Sequence, residues 1–132
     1  MIWIVDASAI VCWLMAEPGA RRIIEILGGD DPVLLHAVNL VEVLYYFQRR
    51  SERALALALQ RIQASGIEVA RTMDDALLGR AASLKAERAP IALGDTFAVA
   101  LAAQRGATLL TTDRAELGKL EGAGICAIEC LR

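Results

Sequence analysis

The chain has 132 residues, 56% hydrophobic and 23% charged, with a formal net charge of −2. That length sets the expectation of a single domain over residues 1–132, large enough to bury about two-thirds of its unfolded surface. The composition excludes a disordered chain, and the slight negative charge excludes a broad basic surface for nucleic acid, leaving room only for a local basic rim.

The β-branched run Ile2-Trp3-Ile4-Val5 reads as a buried strand that ends at Asp6. A helix follows at Ala7 to Met15, Pro18-Gly19 marks a turn, and a second helix runs from Ala20 to Leu27. Gly28-Gly29-Asp30-Asp31-Pro32 is a break, and Val33 to Leu35 is a short strand. Helices are expected from about Ala37 to Arg50 and from Glu52 to Ala64, the latter ended by Gly66. Ile67 to Ala70 reads as a third strand. Thr72 is the expected N-cap of a helix that starts near Asp74-Asp75, runs to about Arg88 and is broken by Pro90. Gly94 to Arg105 is a helix with Gly106 as its C′ residue. Thr108 to Thr111 is a strand, Arg114 to Leu120 a short helix, and Ile125 to Cys130 the last strand. Short apolar strands alternating with helices predict an α/β fold, a parallel sheet covered by helices on both faces.

Four acids stand apart from the other charges. Asp6 is the sole charge from Met1 to Ala16, and Asp95 the sole charge from Ile91 to Gln104. Glu42 interrupts the apolar run His36 to Phe47, and Asp113 closes the segment Ala107 to Thr112. An isolated carboxylate inside a core segment must be paired, protonated or bound to a cation, because burying it alone costs several kcal/mol. Asp6 and Asp113 fall just past two expected strands. Asp95 lies in the first turn of one helix, and Glu42 about one turn into another, with Asn39 on the same face. Strand C-termini and helix N-termini meet at one edge of such a sheet, where ligands bind. All-oxygen ligation suits Mg²⁺ or Mn²⁺, and a carboxylate-bound hard ion beside water is apparatus for phosphodiester hydrolysis.

Other residues carry blander readings. The one histidine, His36, excludes a two-histidine zinc site and disfavours a Ser-His-Asp triad; it reads as a polar residue near a helix start. Tyr45-Tyr46-Phe47 reads as core or a dimer face, with base stacking as the minority alternative. Leu55, Leu57 and Leu59 cover more than one face of their helix, which suggests burial against a partner or second subunit. Arg49, Arg50 and Arg53 read as a solvated face, Lys85 and Arg88 as weak substrate candidates, and Glu68 and Glu129 as strand-edge residues. Cys12, Cys126 and Cys130, an odd set without CxxC spacing, read as reduced thiols. No signal-peptide pattern and no uncharged apolar run of about 18 residues is present, so a cytoplasmic protein without a membrane span is expected.

Taken in register, Asp6-Ala7-Ser8, Asn39-Leu40-Val41-Glu42, Leu93-Gly94-Asp95-Thr96-Phe97 and Leu110-Thr111-Thr112-Asp113-Arg114 resemble the PIN-domain ribonucleases, in particular the VapC-like toxins. The resemblance covers essentially the whole chain. It implies a three-layer α/β/α fold with a short, mostly parallel central sheet of about five strands. It also implies that Asp6, Glu42, Asp95 and Asp113 hold Mg²⁺ or Mn²⁺ and are catalytic. Ser8, Asn39, Thr111 and Thr112 match supporting polar residues. The implied activity is metal-dependent endoribonuclease, with RNA as substrate, a cognate antitoxin as partner and a homodimer as assembly. The alternative is a non-catalytic PIN-like binding or regulatory module. A phosphatase-like aspartyl nucleophile is disfavoured because Ser8 stands where a second acid is wanted, and a receiver-like domain leaves Glu42 without a role. Neither GxGxxG nor a P-loop is present.

Overall fold

The computed structural model describes residues 1–88 and 90–132. Five strands form one sheet: β1 (Trp3–Val5), β2 (Val33–His36), β3 (Glu68–Ala70), β4 (Thr108–Thr111) and β5 (Ala127–Cys130). All neighbours pair parallel, in the order β3-β2-β1-β4-β5. Six α-helices connect them: α1 (Ala7–Leu14), α2 (Ala20–Leu27), α3 (Ala37–Gln48), α4 (Glu52–Ala64), α5 (Asp75–Glu87) and α6 (Leu93–Arg105). The sheet is therefore wholly parallel, as a strand–helix alternation demands when each crossover must return over a face.

Side chains alternate across the sheet and both faces are buried. Ile4, Leu34 and Leu109 pack with Leu77, Leu84 and Val99 of α5 and α6. Trp3, Val5, Val33, Leu35 and Leu110 pack with Ile10, Ile23, Val43 and Ile62 from α1 to α4. The strands consequently read as largely apolar runs, and the charged exceptions sit on the outer strands. Glu68 is exposed on edge strand β3, and Glu129 on edge strand β5 is held bidentately by Arg22 of α2 at 2.7 and 3.2 Å. Gly106 caps α6 at φ +62° and Gly66 follows α4 at φ +85°, both left-handed positions where a Cβ is strained.

Several boundaries differ from the sequence reading, among them the start of β5, at Ala127 instead of Ile125. Thr72 does not cap α5; Asp74 does, its Oδ1 accepting from the Leu77 amide at 2.9 Å, while the Thr72 carbonyl faces His36 Nε2 at 2.9 Å. Residues 114–120 do not form one helix. The Asp113 side chain accepts from Glu116 N, its carbonyl accepts from Leu117 N and Gly118 N, and only Gly118–Leu120 winds as a 3-10 turn. Helix α6 starts one residue earlier than expected, at Leu93.

Candidate active site

Strand order reverses at β1 and β4, and this switch point opens a crevice beyond their C-terminal ends. Asp6 follows β1 there. Its Oδ1 accepts from Ala9 N at 2.8 Å, capping α1, and from Ser8 Oγ at 2.7 Å. Ser8 is both a local partner and a cross-link: its Oγ accepts from Thr112 N at 3.0 Å and lies 3.3 Å from Thr111 Oγ1. Thr111 Oγ1 in turn accepts from Asp113 N at 3.0 Å. Ser8, Thr111 and Thr112 thus lock the end of β1 to the end of β4 and place Asp6 and Asp113 on the same rim.

The other two acids arrive on α3 and α6, which pack against each other. Asn39 is fully buried and donates through Nδ2 to Glu42 Oε1 at 2.8 Å and to the Gly94 carbonyl at 3.0 Å. Two acceptors fix that amide orientation, so Asn39 Oδ1 remains buried without a hydrogen-bond partner among the described residues. Gly94 is required by proximity: a Cβ there would meet Glu42 Cδ at 2.6 Å. The missing side chain is what lets α6 bring Asp95 up to the Glu42 carboxylate. His36 N-caps α3, accepting from Val38 N through Nδ1 at 3.0 Å, so Nε2 carries the ring proton and donates to Thr72 O. It shapes the start of α3.

Electrostatically the four acids form one group. Asp95 is raised from 3.8 to about 7, first by burial and then by the charges of Asp6, Glu42, Asp113 and Glu116. Asp6 is raised to about 6; burial outweighs the hydrogen bonds from Thr111, Ser8 and Ala9, and Asp113 pushes the same way. Among the described residues, no three His, Cys, Asp or Glu side chains stand close enough together to hold one ion between them. The donor set nevertheless suits a hard divalent cation in its chemistry, being all carboxylate oxygen and mutually repelling. Mg²⁺ in particular accepts one or two direct carboxylates and keeps water for the rest of its shell.

Glu116, three residues past Asp113, joins this acidic group without having been singled out in the sequence; the i,i+3 spacing from Asp113 was its one signal. Lys85 points elsewhere, donating to the Ile91 carbonyl at 2.6 Å. Beside the acids lies a groove of about 360 Å³, walled by Ser8, Glu42, Thr112, Tyr45, Tyr46 and Arg132. A separate apolar groove of about 270 Å³ runs between α1, α3 and α4, lined by Leu14, Phe47, Ala54, Leu57 and Arg61, with Leu57 49% exposed. No described helix is long and apolar enough to cross a membrane.

No curated protein matches the chain. Among solved structures, VapBC2 from Rickettsia felis, bound to a DNA fragment from its promoter, superposes with a TM-score of 0.77 at 15% identity over 98% of each chain. VapBC-5 of Mycobacterium tuberculosis, a toxin–antitoxin system, gives 0.68 at 22% identity over 98% of each chain. VapC20 of Mycobacterium tuberculosis, a toxin that cleaves the sarcin–ricin loop, gives 0.69 at 18% identity over 92% of this chain and 95% of that one. These likenesses establish the three-layer fold. Residues 3–121 match the PIN domain, and with that match spanning nearly the entire length, the chain belongs to the PIN-domain family.

Proposed function

We propose that the protein is a metal-dependent endoribonuclease that hydrolyses RNA phosphodiester bonds, acting as the toxin of a toxin–antitoxin pair in the cytoplasm. The observation that carries this reading is the pair of raised carboxylates, Asp6 and Asp95, set with Glu42 and Asp113 at the β1/β4 switch point, with no ion pair to any of the four among the described residues. A fold tolerates such crowding when a bound cation or a proton relieves it. Asp6, Glu42, Asp95 and Asp113 would hold Mg²⁺ or Mn²⁺. Such an ion supplies charge neutralisation at the phosphoryl group and a water of lowered pKa.

The chain's own residues then have distinct tasks. Asp6 is held by the α1 cap and by Ser8, so its second oxygen has a defined direction. Asn39 fixes Glu42, and Gly94 sets the approach of Asp95. Thr111 and Ser8 hold Asp113 to the same rim. Support for RNA as substrate comes from the neighbour that cleaves the sarcin–ricin loop, and support for an antitoxin partner from the VapBC complexes. The apolar groove at Leu57 suits such a protein partner or a second subunit. The spacing of the acids favours one competing reading, a non-catalytic module, since no three of them pre-form an ion site.

One experiment separates the two. Purified protein is incubated with single-stranded RNA and Mn²⁺, with and without EDTA, beside Asp95→Asn. Cleavage that requires the ion and falls by at least about 100-fold in the variant supports the nuclease. Equal cleavage by parent and variant, or none from either, rejects it.

A further inference from the structure

The face of α3 that carries Glu42 continues along the helix as Tyr45 and Tyr46, and Arg49 and Arg50 follow in the turn just past its end at Gln48. The groove at the acids is walled partly by Tyr45 and Tyr46, and a second depression of about 330 Å³ is lined by the same two tyrosines with Arg49 and Arg50. The two depressions therefore form one path leading away from Glu42. Six residues of helix, from Glu42 to Gln48, carry it about 9 Å before the turn, the scale of roughly three stacked nucleotides.

Each side chain on this path is placed differently. Arg50 donates to Tyr46 Oη at 2.7 Å and its guanidinium sits 4.8 Å over the Tyr46 ring, so one ring face is covered and the Arg50 head is steadied. Tyr45 has no such cover and is 51% exposed. Among the described residues, neither Arg49 nor Arg50 forms an ion pair with a carboxylate. Arg132, on the opposite wall, is engaged by Glu17 at 3.4 Å. Free guanidinium groups beside an acidic centre are suited to attract a phosphate backbone that the acids themselves repel.

We propose that this tyrosine–arginine stripe binds the single-stranded stretch of RNA next to the scissile bond, Tyr45 stacking on a base and Arg49 and Arg50 holding backbone phosphates. The proposal rests on the endoribonuclease reading. Stacking on an exposed aromatic ring tolerates any base, so the track would position the strand without dictating sequence. Bidentate guanidinium forks suit phosphate oxygens.

The test measures binding of a short fluorescent single-stranded RNA by anisotropy in the Asp95→Asn background, adding Tyr45→Ala, Tyr45→Phe, Arg49→Ala or Arg50→Ala. Tyr45→Ala should weaken binding roughly 10-fold or more and Tyr45→Phe should restore it. Each arginine variant should flatten the dependence of log affinity on log salt by about 0.7. In otherwise unaltered protein, Tyr45→Ala should raise KM with little change in kcat. Unchanged affinity and salt slope in these variants, with the parent still binding, overturns the track alone. A Tyr45→Ala protein that turns from dimer to monomer by light scattering yet binds RNA normally assigns the face to a second copy and also overturns it. A parent that neither binds nor cleaves RNA removes the endoribonuclease reading as well.

Discussion

Asp6 does two jobs with one carboxylate, and substitutions can part them. Its Oδ1 caps α1 while burial raises its pKa to about 6. Asparagine is as good an N-cap as aspartate and carries no charge. Asp6→Asn should therefore keep the fold and lose cleavage, whereas Asp6→Ala also loses the cap and about 1 kcal/mol of stability, read by urea denaturation. The raised pKa values set the pH dependence of the metal-free protein. Between 3.8 and about 6 for Asp6, and 3.8 and about 7 for Asp95, the native state keeps protons that the unfolded chain has released. The associated stability is complete below 3.8 and disappears as pH rises through these native values. In EDTA the protein should be more stable at pH 5.5 than at pH 8, by up to about 1 kcal/mol from Asp6, most of whose effect is already lost by pH 5.5, and by at most about 2 kcal/mol from half-buried Asp95, reduced by solvent screening. Asp95→Asn should flatten that difference, and Mn²⁺ should raise the midpoint at pH 8 far more than at pH 5.5. At Gly94, a methyl group meets the movable end of Glu42 and spares the backbone. Gly94→Ala should leave thermal stability within about 1 kcal/mol of the parent while cutting cleavage at least 10-fold, because Glu42 must give way. The isolation of the four acids in apolar surroundings was legible from the sequence. The contribution of Gly94 was not, since a close approach between α3 and α6 leaves no mark at that position alone, and Glu116 carried only its spacing from Asp113.

Elements were legible wherever local chemistry decides them. The apolar triplets of β1 and β2, the break at Gly28 to Pro32, and Gly106 after α6 each have a local cause, and each appears where expected. The misses came where two local signals competed. Thr72, Asp74 and Asp75 all offer an oxygen near the start of α5; Asp74 wins because it also receives the Gln104 amide at 3.2 Å, tying α5 to α6. Asp74→Ala should thus cost about 1 to 2 kcal/mol and Thr72→Ala distinctly less, a contrast that chemical denaturation reads directly. Residues 114–120 looked helical by composition, but Asp113 turns both its side chain and its carbonyl onto that stretch and tightens it into a turn. Helix α3 gave the opposite lesson. Its run Tyr45-Tyr46-Phe47 read as core or an interface, and the fold divides it: Phe47 is buried, Tyr46 half-buried under Arg50, and Tyr45 exposed.

At the scale of the molecule, alternation across a parallel sheet produces two separate apolar layers, so the strands must satisfy both at once. Leu109, fully buried in the layer under α5 and α6, should cost about 2 to 5 kcal/mol when cut to alanine, read by chemical denaturation. The strand–helix alternation announced a parallel sheet, yet nothing in it specified the order β3-β2-β1-β4-β5; that follows from which crossovers pack, a tertiary matter. The order has a consequence for synthesis. The first strand made lies in the middle of the sheet and lacks one flank until residues 108–111 have emerged, and Asp113 emerges later still. A nascent polypeptide therefore cannot assemble the crevice with all four carboxylates until residue 113 has left the ribosome.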